Sequence, residues 1–113
     1  MHLTIITTTL SLLALATAES ICSPGSVGVG IAPSTATDTY SVIADSNCGI
    51  VDSRLGHGEL CGVYNRGSQV SCVDQNTVTG VTASGAEYGN CVSVSDQFCH
   101  QQPGYGIQWC CGV

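Results

Sequence analysis

Eight cysteines in a chain of 113 residues limit this fold more than any other feature. They are Cys22, Cys48, Cys61, Cys72, Cys91, Cys99, Cys110 and Cys111. An even number at this density marks a disulfide scaffold, because a hydrophobic core alone is marginal in so short a chain. The set predicts four disulfides. Successive spacings are 26, 13, 11, 19, 8, 11 and 1 residues. A zinc site takes close cysteine pairs with histidine in register, and these intervals do not supply them. A reactive thiol calls for an odd cysteine beside a base. The cysteines therefore read as disulfides, with no metal ligand among them. Connectivity stays open, since eight cysteines allow about a hundred pairings. One constraint is legible. Cys110 and Cys111 are neighbours, and in a strand their side chains point to opposite faces. The pair is expected to tie the last strand to two different segments.

The redox state these cysteines need agrees with the start of the chain. Residues 3–18 (LTIITTTLSLLALATA) form an apolar run ending in the small-x-small pair Ala16 and Ala18. That is the pattern of a secretory signal peptide cleaved before Glu19. The run is shorter than the roughly 20 predominantly apolar residues of a membrane span, and no basic stop-transfer cluster follows it. Residues 1–18 are thus expected to be removed. Residues 19–113 are expected to form a single disulfide-stabilised domain, secreted and with no membrane attachment.

Charge excludes further classes. The chain has two arginines (Arg54, Arg66), no lysine and eight acids, for a net charge of −6. Nucleic acid and anionic membrane surfaces both require clustered Lys and Arg, which are missing. The acids Glu19, Asp38, Asp45, Asp52, Glu59, Asp74, Glu87 and Asp96 are scattered and read as a solubilising surface.

The texture is strand and turn. Residues 23–37 (SPGSVGVGIAPSTAT) carry two prolines and three glycines, so about 19–37 reads as an irregular N-terminal arm. The Gly25–Gly30 stretch lacks the Gly-Lys-Ser/Thr ending of a phosphate loop. Strands are expected at 39–44, 60–64, 69–73, 77–82, 91–95 and 106–110. Asn65-Arg66-Gly67-Ser68 is a turn sequence between two of them. If those four residues are the loop, Tyr64 faces Gln69, Val63 faces Val70 and Cys61 faces Cys72. A direct Cys61–Cys72 bond is within reach, though the favoured expectation is that both cross the core. Ser95 before Asp96 predicts a short helix ending at Pro103, and Ser84-Gly85-Ala86-Glu87 fits a capping box for a second helical turn. The expected fold is a small disulfide-rich β-dominated (or α+β) domain: an antiparallel sheet, one or two short helical turns and four disulfides.

No catalytic constellation emerges. A Gly-x-Ser-x-Gly nucleophile elbow is missing. His57, in Leu55-Gly56-His57-Gly58-Glu59, is the one His–acid neighbourhood and reads as a surface-loop residue. His100 reads as a polar residue at a helix end. No catalytic residue, metal or cofactor is assigned. Trp109 and Phe98 are expected in the small core. The alternative is that Trp109 and Tyr105 form a ligand surface for a sugar.

The run Cys61-Gly62, Cys72, Cys91, Cys99 and Trp109-Cys110-Cys111, with the leader, small size and low charge, resembles small secreted cysteine-rich proteins of filamentous fungi. Many of these are candidate effectors of plant pathogens. The resemblance implies action outside the cell, in the apoplast at a host interface, in virulence and without enzymatic activity. The partner it implies is a host or extracellular protein met by a monomer. The alternatives are a cell-wall glycan, which would make the chain a carbohydrate-binding module, and the role of a small secreted toxin.

Overall fold

The computed structural model of the chain describes residues 20–33, 39–56, 58–100 and 104–113. The leader, His57 and residues 101–103 lie outside them, as do residues 34–38. Eight strands follow in order: β1 (Val27–Pro33), β2 (Thr39–Asp45), β3 (Ile50–Leu55), β4 (Gly62–Val63), β5 (Gln69–Cys72), β6 (Val78–Ala83), β7 (Ala86–Cys99) and β8 (Tyr105–Gly112). All pairings are antiparallel, and the spatial order is β3-β2-β1-β8-β7-β6-β5-β4. The fold is thus a small β-dominated domain with four disulfides, as the cysteines and strand patterns predict.

The first and last strands meet in the middle. β1 runs against β2 from Val27↔Asp45 to Pro33↔Thr39, and against β8 from Val27↔Cys111 to Ile31↔Gly106. A strand covered on both faces reads as a nearly continuous apolar run, not as a simple alternation. Val27, Val29 and Ile43 face one core, completed by Cys111 and by Leu60, Tyr64, Val70, Val78, Val81 and Ala83. Ala32, Val42 and Ala44 face a second, built with Ile21, Cys48, Cys99, Tyr105, Ile107 and Cys110. Two of the glycines that suggested an irregular arm, Gly28 and Gly30, are there because neighbours press on the backbone. A Cβ on Gly30 would lie 1.9 Å from the Gly106 carbonyl oxygen, and one on Gly28 would lie 2.8 Å from Ile21 Cδ1. The arm at 19–37 is therefore corrected over 27–33, which is the central strand.

Both helical turns are corrected as well, and among the described residues there is no helix. Ser95–Cys99 continues β7, with Gln97↔Ile107, Phe98↔Gly106 and Cys99↔Tyr105 opposite β8. The ladder and the Cys48–Cys99 bond outweigh a local capping preference worth about 1 kcal/mol. Ser84 and Gly85 form the two-residue turn between β6 and β7, closed by Ala83↔Ala86. Both have positive φ, 52° and 76°, the geometry of a hairpin turn that follows the strand twist.

Candidate functional site

The four bonds are Cys22–Cys110, Cys48–Cys99, Cys61–Cys72 and Cys91–Cys111. Cys110 and Cys111 go to different segments, one into each core. Cys61 and Cys72 bond each other directly, with Cα atoms 6.0 Å apart, and do not cross the core. Their hairpin is one residue out of the expected register: Gly62 faces Val70 and Val63 faces Gln69. Tyr64 and Ser68 close the loop (Tyr64 N to Ser68 O, 2.7 Å), and Gly67 takes φ 91° inside it. The positive φ lets a three-residue loop return the chain, which shifts the pairing by one.

A buried polar cluster lies where β3 meets this hairpin. Asp52 is 1% exposed. Its carboxylate accepts backbone N–H bonds from Ser53 (2.8 Å), Arg66 (2.9 Å) and Ser68 (3.1 Å). Burial pushes its pKa up, but these hydrogen bonds favour the charged form more strongly, and the net shift is below the ordinary value of 3.8. Asn65 N–H donates to the Ser53 carbonyl at 3.1 Å. The outer strand β3 is thereby joined to the loop beside β4, the other outer strand, and part of its exposed edge is covered.

Arg54, two residues on, donates to the carbonyls of Val63 (3.2 Å), Glu59 (3.4 Å) and Cys61, and its guanidinium lies 5.1 Å from the Tyr64 ring centroid. Gly62 has to be glycine here: its φ is 120°, and a Cβ would lie 2.8 Å from Arg54 Nη1. Tyr64 donates to the Leu60 carbonyl at 2.6 Å, and burial pushes its pKa up to about 12. Ser41 donates to the Glu59 carbonyl. The chain's own backbone takes up these groups, apart from Arg54 Nε, which is buried and makes no hydrogen bond among the described residues, so the cluster works as a latch between β3 and the hairpin loop.

The alternative sugar surface of Trp109 and Tyr105 does not assemble. Tyr105 is 3% exposed, and its hydroxyl donates to the Cys48 carbonyl at 2.6 Å. No face of its ring is open for stacking. Trp109 is partly buried against the first core, opposite Val29 and Ser93. Phe98, expected in the core, is 52% exposed. Its ring lies over Gly106, where a Cβ would come within 3.3 Å of it, and 6.1 Å from the His100 ring. Alternation carried the missing signal: if Cys99 points into the core, its neighbour Phe98 points out.

The described surface is otherwise acidic. Asp45, Glu59, Asp74, Glu87 and Asp96 are exposed; of the two arginines Arg66 is exposed and Arg54 is spent in the latch. No group of three or more His, Cys, Asp or Glu is placed to hold a metal ion among the described residues. No helix among the described residues is long and apolar enough to cross a membrane.

Fold and disulfides together define a small cysteine-rich β protein of the type found outside cells. Comparison of the chain with protein-family models, with curated proteins and with solved structures found no match.

Proposed function

We propose that the chain is secreted after loss of its leader and acts outside the cell as a non-enzymatic interaction protein, effector-like, binding a host protein. Phe98 carries this reading. It is a large aromatic side chain held in the open on a fixed backbone: Cys99 beside it is bonded to Cys48, and Gly106 beneath it gives the ring a seat. Pre-ordered exposed aromatics are the usual anchors of protein interfaces, because little entropy is lost when they bind. The net charge of −6 favours a partner with a neutral or basic face.

The test is affinity capture from host extracellular fluid with the oxidised protein, run beside a panel of insoluble polysaccharides. The expected result is one discrete protein, retained only while the disulfides are intact and weakened roughly tenfold or more by Phe98→Ala. Recovery of nothing beyond a reduced-protein control would refute the proposal.

A further inference from the structure

A cavity of about 270 Å³ opens where β1 begins, away from Phe98. Val27, Val51 and Ala83 supply its apolar lining, and Ser26, Asp45, Ser46, Ser84 and Tyr88 its polar groups. The four hydroxyls make no hydrogen bond to another described residue. Asp45 brings a carboxylate to the rim, where its Oδ1 accepts the N–H groups of Asn47 (2.9 Å) and Gly49 (2.8 Å). Hydroxyls that both donate and accept, a carboxylate and an apolar floor match a molecule with alternating O–H and C–H faces. An anion is disfavoured, because no cationic side chain lines the cavity and Asp45 repels it. A wholly apolar ligand would strip water from the hydroxyls and return no hydrogen bonds.

Ser84 adds a second observation. It sits at φ 52° in the β6–β7 turn, a conformation that glycine or asparagine adopts at lower cost. The serine places a hydroxyl in the cavity wall at some expense to the turn. Ser26 also lines a neighbouring depression of about 330 Å³ together with Ser23, Asn90 and Gln97. Ser26 thus lines both depressions.

We propose that this cavity is a saccharide subsite, taking one neutral or amine-bearing unit of an oligosaccharide that continues across Ser26 into the second depression.

The test is an amide-resolved NMR titration of the oxidised protein with oligomers of N-acetylglucosamine, of glucosamine and of β-glucan. The expected result is saturable shifts centred on Ser26, Ser46 and Ser84. Tyr88→Phe and Asp45→Asn should each weaken binding about fivefold or more, the loss of one hydrogen bond. Ser84→Gly should weaken binding comparably while raising the melting temperature, which a purely structural serine would not do. Loss of a glucosamine preference in Asp45→Asn assigns the amine-bearing sugar; equal binding of acetylated and free oligomers assigns the neutral one. The proposal is overturned if no oligomer shifts these amides at millimolar concentration, if shifts centre elsewhere, or if binding survives all three substitutions unchanged.

Discussion

Cys110 and Cys111 stand side by side in β8 and bond in opposite directions. Cys110 crosses to Cys22, 88 residues earlier, in one core, and Cys111 to Cys91, 20 residues earlier, in the other. The last strand is fixed from both faces, and β1 is held beside it. The sheet is therefore stitched at its centre, where the chain's first and last strands pair.

The bonds should differ in what they contribute. Restricting the unfolded chain gives about 3 kcal/mol for a loop of 11 residues and at most about 4.5 kcal/mol for one of 88, which the Cys48–Cys99 and Cys91–Cys111 bonds shorten but leave longer than 11. Paired replacement of Cys22 and Cys110 by alanine should therefore lower stability in urea more than paired replacement of Cys61 and Cys72. An equal loss would mean that loop length does not govern these bonds.

Asp52 makes the latch sensitive to acid. Its pKa in the folded protein lies below its value in the unfolded chain. Its stabilising contribution is thus complete above the unfolded value of 3.8 and disappears as pH falls through the folded value. Melting temperature measured from about pH 6 to about pH 2 should fall at the acid end, and Asp52→Asn should flatten that fall. Asp52→Ala leaves the Arg66 and Ser68 N–H groups without their acceptor and should cost about 2–4 kcal/mol.

Tyr64 sets the opposite limit. Its folded pKa of about 12 exceeds the ordinary value of 10.0. Its contribution is full below the unfolded value and is lost as pH rises toward the folded one. Phenolate absorbance should show a late contribution from Tyr64, and Tyr64→Phe should remove that contribution at a cost of about 1 kcal/mol. An unchanged late amplitude in the variant would contradict this assignment.

Gly30 should tolerate no side chain. The Gly106 carbonyl stands 1.9 Å from where its Cβ would be, so Gly30→Ala has to separate β1 from β8. Circular dichroism and oxidised yield should report loss of the native fold. At Gly89, where nothing lies within 4 Å, alanine should change stability by about 1 kcal/mol or less.

What the sequence made legible follows the range of the forces involved. The turn at 65–68 is local, and the Cys61–Cys72 hairpin was within reach of pattern reasoning apart from one residue of register. Gly67 at positive φ accounts for that residue. Opposite-facing Cys110 and Cys111 follow from strand geometry alone. The central position of β1 does not, because its glycines answer to Ile21, Ile107 and Gly106, which are distant in sequence. Ser95–Cys99 carries a helix-start pattern that pairing with β8 overrides. β3 was missed because its buried residue is Asp52, and a carboxylate at an inward position hides the alternation. Tyr105 looked available and is buried, and Phe98 looked like core and is exposed. Which face each occupies was set by the Cys48–Cys99 bond, whose pairing spacing alone does not specify.

Photo-crosslinking at Phe98 tests the central claim most directly. A photoreactive phenylalanine analogue replaces Phe98 in one preparation and the exposed Arg66 in another, and both oxidised proteins are irradiated in host extracellular fluid. The account predicts a covalent adduct with one host protein from position 98, none from position 66, and loss of the adduct on reduction. No adduct from position 98, or the same adducts from both positions, would contradict it.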